Sequence, residues 1–234
     1  MNSFVTFVSM SKLLHIETAT KVCSVATSEN GQLVSLKELN SENYTHSESL
    51  TLFIEEVMKQ SNWSFNDLEA IVVTSGPGSY TGLRIGVSTA KGLCYALDIP
   101  LISVDSIESL SAIAHEKHSG INICATIDAK RMEVFSAIYN KDNELIKPLS
   151  ADIIEESTYD AFIPFLVVGD GAMKLNELWK EKNIEFDGEI ISSARGQIKR
   201  AHEKFEHSDY EDLAYFEPKY LKDFIGTKSK KKSF

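Results

Sequence analysis

The sequence is poor in cysteine, with three in 234 residues and no C-x-x-C spacing. The three are far apart and lie among apolar neighbours: Cys23, Cys94 and Cys124. This pattern excludes a disulfide framework and is typical of buried thiols in a reducing compartment. Long apolar runs are also missing, since none approaches the roughly 18 residues of a membrane span. We therefore predict a cytoplasmic protein that makes no membrane contact.

Residues 1–9 are mildly apolar but lack the basic region and the long apolar region of a secretory signal. We expect the folded part to begin at about residue 10, and both Met1 and Met10 stay open as the start of translation.

Positive charge is scarce as well, because 24 Lys and Arg face 34 Asp and Glu, giving a formal net charge of −10. A protein that grips nucleic acid alone usually presents a basic face, so we expect tRNA to be reached only through a complex. The one basic run, Lys228–Lys232, lies in the segment 226–234. We interpret that segment as a disordered, solubilising tail, with an accessory RNA contact as the alternative.

No two histidines are spaced four apart, the spacing that would direct both imidazoles to one metal from one helix face. His115 and His118 are three apart at a predicted helix end, and His202 and His207 are five apart. We predict no metal site.

The composition, 43% hydrophobic and 25% charged, is that of a globular chain with room for one large or two small domains. Three strand patterns separated by turns begin at Leu13 and predict an antiparallel meander, with Asn30-Gly31 as its second turn. Apolar residues repeat at helical spacing from Ser47 to Gln60. A buried strand at Ala70–Thr74, a glycine-rich turn, a helix to about Leu97 and another strand then predict a parallel crossover.

A similar order of elements begins again after Asp105, with a helix over 106–117 and strands at 121–128, 132–139 and 145–149. We therefore predict an α/β fold of two lobes with duplicated mixed β-sheets, as in actin-like and Hsp70-like ATPases. The predicted boundaries are 10–105 for the first lobe, 106–208 for the smaller second lobe, and 209–225 for a segment that returns to the first.

The segment Ser75–Leu93 contains five glycines and invites interpretation as a phosphate loop. It fails the P-loop pattern because Gly78 and Gly82 are too close and Leu83 stands where lysine is needed. The dinucleotide fingerprint fails too, since the third glycine position holds Thr81, which we instead predict as a helix N-cap. An anion held at the helix N-terminus stays an open alternative.

Two lines of small residues run along the predicted helix at four-residue spacing. They are Gly82, Gly86 and Ala90 on one line, and Ser88, Gly92 and Ala96 on the other. Each interior glycine costs about 0.5–1 kcal/mol relative to alanine, so close packing inside the protein or against a partner is expected to compensate.

Ser75–Leu93 closely resembles the signature of the bacterial TsaB (YeaZ-like) family, and His46-Ser47-Glu48-x-Leu50 resembles that family's motif at the start of the preceding helix. Further similarity lies in three blocks: Ile127–Phe135, Gly169–Ala172 and Glu217–Lys222. The resemblance covers residues 10–222.

This resemblance implies a two-lobed actin-like fold and a scaffolding subunit without catalytic residues. Family members bind a catalytic paralogue, TsaD, through the two helices that match Ser47–Gln60 and Gly82–Leu97, and self-associate through the same face when alone. With TsaD, the ATPase TsaE and threonylcarbamoyl-adenylate, the assembly modifies adenosine 37 of tRNAs that read codons beginning with A.

Partner contacts are accordingly expected on the two helices, at His46, Ser47, Glu48, Leu50, Phe53, Gly82, Arg84, Gly86 and Ala90. The turn Glu17-Thr18-Ala19-Thr20 stands where actin-like ATPases carry an Asp-x-Gly-Ser/Thr phosphate loop. Glu17 replaces the aspartate and Ala19 the glycine, so we predict a degenerate loop formed by Glu17, Thr18 and Thr20. No cofactor is expected on the chain alone, with ATP or ADP at the interface of the complex left open. The alternative is an actin-like enzyme, a kinase or a glycoprotease-like protein, that acts alone.

Overall fold

The computed structural model describes residues 11–41 and 46–222. The described chain begins with β1 (Lys12–Glu17), β2 (Val22–Glu29), β3 (Gln32–Asn40), α1 (His46–Ser61), β4 (Ala70–Gly76), α2 (Tyr80–Leu97), β5 (Leu101–Asp105) and α3 (Ser106–Lys117), of which α3 packs in the core of the second sheet. The chain continues with β6 (Ile123–Asp128), β7 (Glu133–Tyr139), β8 (Leu145–Ile153), β9 (Phe165–Val168), α4 (Ala172–Trp179), β10 (Ile184–Asp187) and α5 (Ile198–Glu206). The predictions for the start of the chain and for the basic tail lie outside the described residues.

The two sheets repeat one topology. The first has the strand order β3-β2-β1-β4-β5 and the second the order β10-β9-β6-β7-β8. In each, an antiparallel meander is extended by two parallel strands, with β4 beside β1 and β9 beside β6. This duplication confirms the predicted two-lobed α/β architecture with mixed sheets.

The first sheet is covered on both faces. All seven residues of β4 are buried, as expected for a central parallel strand. On one face, α1 and α2 pack their apolar residues against Leu14, Ile16 and Val73. On the opposite face, α5 packs against Leu13 and Ile102. The helices α1 and α2 therefore lie side by side and present their outer sides away from the sheet.

The second lobe has its own core, in which the fully buried Trp179 of α4 meets Phe165 of β9 edge-on at 6.0 Å between ring centroids. Strand β10 was not predicted from the sequence. It is four residues long and none of them is fully buried, so neither an apolar run nor a clear alternation marks it.

The chain returns to the first lobe at Ser193, which is earlier than the predicted residue 209. The Ser193 hydroxyl donates to Glu38 at 2.7 Å, and the side-chain amide of Gln197 donates to the Ile16 carbonyl at 3.0 Å. These bonds place the short 3-10 turn Ala194–Gln197 and the following α5 on the first sheet. No helix in residues 11–41 and 46–222 is both long and apolar enough to cross a membrane.

Candidate protein-docking face and inter-lobe cleft

The turn after β1, predicted as a degenerate phosphate loop, is buried and bonded within the chain. Glu17 and Thr18 are at most 1% exposed. The Ala19 N–H donates to Oε1 of Glu17 at 2.6 Å, and the Ala19 carbonyl accepts from the Ser79 N–H at 2.6 Å. Both backbone groups of Ala19 are therefore bonded within the chain, including the N–H that a phosphate loop would direct at an anion.

The Glu17 carboxyl lies in a polar network between β1, β4 and the turn before α5. The Thr74 hydroxyl donates to Oε2 of Glu17 at 2.5 Å and accepts from the Gln197 amide at 2.7 Å. Burial raises the pKa of Glu17 to about 7, although the bonds from Thr74 and Ala19 oppose this shift. Burial also lowers the pKa of His15 on the same strand to about 3. Burial thus favours the neutral forms of the carboxyl and the imidazole, while the hydrogen bonds to Glu17 favour its charged form.

The glycine-rich turn packs directly onto this loop. Ser79, rather than the predicted Thr81, is the N-cap of α2, because its hydroxyl accepts from the Gly82 N–H at 3.2 Å. A Cβ atom on Gly78 would overlap the Ala19 carbonyl, so only glycine allows this approach. The turn therefore serves to seat α2 against the loop after β1.

The line of small residues Gly82, Gly86 and Ala90 faces inward, which corrects its predicted role in partner contact. All three residues are buried, and a Cβ atom on Gly86 would overlap the Thr18 hydroxyl. Thr18 in turn donates to the Gly82 carbonyl at 2.8 Å. These small residues let α2 approach β1 within the first lobe, and no partner can touch them in this conformation.

The second line of small residues points outward. Ser88, Gly92 and Ala96 are exposed, and among the described residues nothing outside the helix lies within 4 Å of a Cβ placed on Gly92. Each helix of the pair also exposes a large apolar side chain: Leu52 on α1 is 61% exposed and Tyr95 on α2 is 84% exposed. We refer to the following exposed residues of α1 and α2 as the outer helix face: Ser47, Glu48, Thr51, Leu52, Glu55, Thr81, Arg84, Ser88, Gly92, Tyr95 and Ala96.

The remaining predicted contact residues divide between interior and surface. His46 is buried, and its Nε2–H donates to the Thr20 carbonyl at 2.8 Å. Its burial lowers the pKa of the imidazole, which that bond opposes. Leu50 is buried in the core of the first lobe, and the half-buried Phe53 packs against that core. The other three, Ser47, Glu48 and Arg84, lie on the outer helix face.

Arg84 is held by two aromatic rings. Its guanidinium carbon lies 4.1 Å from the ring centroid of Tyr80, and its Nε donates to the Tyr220 hydroxyl at 3.1 Å. The two rings are 4.9 Å apart between centroids. The sequence places both tyrosines inside family-like blocks, but their contact joins residues 140 apart in the numbering and no local pattern predicts it.

Residues 209–222, which we call the C-terminal strap, join the two lobes. The Lys219 N–H donates to the Ser75 carbonyl at 2.7 Å in the first lobe. Lys222 forms an ion pair with Glu133 and also donates to the Ala129 carbonyl at 3.3 Å, both in the second lobe. The strap therefore crosses from one lobe to the other at the mouth of the cleft between them.

The cleft has a volume of about 520 Å³ and is lined by both lobes and by the strap. Its walls carry Tyr80 from α2, Lys130 and Phe135 from the second lobe, and Tyr220 from the strap. Ala19 and Thr20 close its inner end. At that end, the Ala19 N–H already donates to Glu17 and the Ser79 N–H to the Ala19 carbonyl, so these two backbone donors have partners within the chain.

The histidines considered for metal binding have other partners. His115 bonds to the carbonyls of Ser111 at 2.9 Å and Asn140 at 2.8 Å, and His118 lies 2.9 Å from an oxygen of Asp187. Within the described ranges, no three His, Cys, Asp or Glu side chains cluster in a way that could hold a metal ion.

Comparison with known sequences identifies relatives along nearly the whole chain. Residues 40–223 match the family model described as TsaD, tRNA N6-adenosine threonylcarbamoyltransferase. The chain is 28% identical over 226 residues to the tRNA threonylcarbamoyladenosine biosynthesis protein TsaB of Escherichia coli strain K12, covering 93% of this chain and 97% of that protein.

Solved structures with the same fold include a Pseudomonas aeruginosa protein described as uncharacterized, with similarity to the peptidase YeaZ. It superposes with a TM-score of 0.80 at 23% identity, covering 91% of this chain and 100% of its own. The activator of 2-hydroxyisocaproyl-CoA dehydratase from Clostridium difficile, solved with bound ADPNP, has a TM-score of 0.51 at 9% identity, covering 85% of this chain and 97% of its own. These likenesses confirm the predicted actin-like fold.

Proposed function

Because the chain belongs to the TsaB (YeaZ-like) family, within the group described by the TsaD family model, we propose that it acts in the biosynthesis of threonylcarbamoyladenosine in tRNA as a non-catalytic subunit. In this proposal it binds a catalytic TsaD-type paralogue through the outer helix face and supports the TsaE ATPase within the same assembly. The tRNA is reached through the complex.

The observation that carries the proposal is the outer helix face itself. Leu52 and Tyr95 are among the most exposed large apolar side chains of the described residues, and each lies on a helix of the same pair. The outward line of Ser88, Gly92 and Ala96 lets a partner helix approach the α2 backbone closely. Large exposed apolar side chains next to such a line of small residues are a common feature of protein interfaces.

The loop after β1 supports a non-catalytic role. A nucleotide phosphate in an actin-like cleft would need backbone N–H groups there, whereas Ala19 already donates to Glu17. An ATP or ADP in this assembly is therefore proposed to lie at the subunit interface and to use residues of the partner.

The experiment that tests the proposal is reconstitution from purified proteins. The chain is mixed with the TsaD paralogue of the same genome and examined by size-exclusion chromatography with light scattering. Modification of tRNA is then measured with TsaD, TsaE and threonylcarbamoyl-adenylate, with and without the chain. We expect a stable heteromeric species and modification that depends on the chain, and the absence of both would overturn the proposal.

An outer helix face that binds a paralogue is also expected to bind a second copy when the paralogue is missing, because the two proteins share a fold. We therefore expect self-association of the isolated chain that the paralogue displaces. A concentration series by analytical ultracentrifugation, repeated with added paralogue, measures both.

A further inference from the structure

We infer that Arg84 captures a carboxylate of the partner protein and that Tyr220 on the C-terminal strap is the positioning residue that holds Arg84 for this contact. The inference rests on the proposed function and specifies its chemistry. It adds a residue outside the two helices, Tyr220, to the determinants of association.

The local geometry restricts the Arg84 side chain. One face of the guanidinium lies over the Tyr80 ring at 4.1 Å, while its Nε–H is used by the Tyr220 hydroxyl at 3.1 Å. An exposed arginine normally samples many rotamers and loses that freedom on binding. Because these two contacts fix the guanidinium plane before a partner arrives, less conformational entropy is lost when its outward N–H groups form bonds.

Among residues 11–41 and 46–222, the charge of Arg84 has no acidic partner within ion-pair distance. In the described part of the chain no carboxylate approaches Arg84, and its electrostatic neighbours are the two tyrosines. The surrounding groove is lined by hydroxyl groups of Ser47, Thr81, Ser88 and Thr89 rather than by acids. An oriented guanidinium is suited to an acidic side chain of the partner, because opposite charges across an interface are complementary. A planar fork of donors also matches a carboxylate in two-point contact.

Tyr220 lies on the C-terminal strap, which connects the two lobes. The strap that carries it is fastened to the first lobe by the Lys219–Ser75 backbone bond and to the second lobe by Lys222. A displacement of the strap would therefore remove the Tyr220 hydroxyl from Arg84. The affinity for the partner is thus expected to depend on the C-terminal strap, although the strap lies outside both α1 and α2.

The test is a double-mutant cycle on the affinity for the purified TsaD paralogue, measured with Arg84→Ala, Tyr220→Phe and the double variant. We expect Arg84→Ala to weaken binding about tenfold or more and Tyr220→Phe about threefold. Because Tyr220 acts through Arg84, Tyr220→Phe should change the affinity by less than about 1.5-fold in the Arg84→Ala background. Arg84→Lys, which keeps the charge but loses the fork, should recover only a small part of the loss.

Lys199→Ala is the matched control, since Lys199 is an exposed cation on α5, on the opposite face of the first sheet. It should bind within about twofold of the wild type, as expected for a charge far from the interface. Thermal melting of every variant checks that the fold is kept.

The outcomes separate this inference from the proposed function. Wild-type binding that Arg84→Ala leaves within about twofold would overturn the inference and leave the proposed function standing. An equal effect of Tyr220→Phe in both backgrounds would show that Tyr220 touches the partner directly, and would overturn its positioning role. If Arg84→Ala impaired only self-association of the chain, the assignment of the carboxylate to the paralogue would be wrong. Failure of the wild type to bind the paralogue at all would overturn both proposals.

Discussion

The backbone N–H of Ala19 donates a 2.6 Å hydrogen bond to the carboxyl of Glu17, two residues earlier in the same turn. This buried carboxyl group also accepts from the Thr74 hydroxyl, so the turn after β1 is tied into the interior of the first lobe. The Ala19 N–H is therefore satisfied by a side chain of the same turn.

The first prediction concerns the ionisation of Glu17. Its pKa is raised from 4.5 to about 7, so the folded protein retains a proton that the unfolded chain has lost over this range. The contribution of Glu17 to stability is therefore fully present below about pH 4.5 and is lost as the pH rises through about 7. Glu17→Gln is neutral at every pH, and its unfolding free energy should rise relative to wild type by about 2 kcal/mol between pH 5 and pH 8.

Urea denaturation of both proteins across this pH range measures the difference, and other titrating groups largely cancel because both proteins contain them. Glu181→Gln makes the same change at an exposed position of the second lobe and serves as the control. A difference between wild type and Glu17→Gln that stays constant with pH would show that Glu17 ionises without a shift.

The second prediction separates the two lines of small residues on α2. Gly86→Ala should destabilise the protein by about 1–3 kcal/mol, because the added methyl group overlaps the buried Thr18 hydroxyl. Gly92→Ala should stabilise it by about 0.5–1 kcal/mol, since the position is open and alanine favours the helix. Chemical denaturation of the two variants compares them directly, and equal effects would mean that the two lines have equivalent surroundings.

The third prediction tests the outer helix face by charge insertion. Leu52→Asp should weaken association with the TsaD paralogue by about tenfold or more, because a carboxylate would have to be desolvated in the interface. Leu145→Asp provides the control on the second lobe, at a leucine that is 54% exposed against 61% for Leu52. Titration of each variant by biolayer interferometry gives the affinities. Equal weakening by both variants, or by neither, would place the contact elsewhere.

The fourth prediction concerns nucleotide binding by the chain alone. Calorimetric titration with ATP and magnesium should give no saturable heat up to about 1 mM ATP. At that concentration, binding with a free energy more favourable than about −4 kcal/mol would be detected. Ala19→Gly should behave in the same way, because Glu17 and Ser79 keep their bonds to that backbone. Stoichiometric binding with turnover by the wild type would instead favour the alternative of an actin-like enzyme acting alone.

Much of the fold could be predicted from the sequence because its signals are local. The amphipathic spacing in Ser47–Gln60 predicted a helix whose ends agree within a few residues with those of α1. The apolar run Ala70–Thr74 likewise predicted a strand that agrees with β4. The duplication of the sheets followed from the order of such elements. Only the short β10, with its half-polar pattern, gave no such signal.

The site was less predictable because it depends on which side of a helix meets the sheet. Four-residue spacing identified both small-residue lines of α2, but the spacing is identical for Gly82, Gly86 and Ala90 and for Ser88, Gly92 and Ala96. The loop after β1 decides between them, since Thr18 needs a side-chain-free surface beside it. Likewise, the contact between Arg84 and Tyr220 depends on the return of the strap, which no local pattern contains.

The position of α5 has a consequence for synthesis on the ribosome. The sheet face formed by Leu13, Val72, Ile102 and Val104 is covered by Ala201 and Phe205, which follow the whole second lobe in the chain. A nascent chain that has already formed β1 to β5 therefore carries a bare apolar sheet until the translating ribosome has passed α5. Such a surface is a natural binding site for chaperones during translation, and the first lobe to be made is the last to be completed.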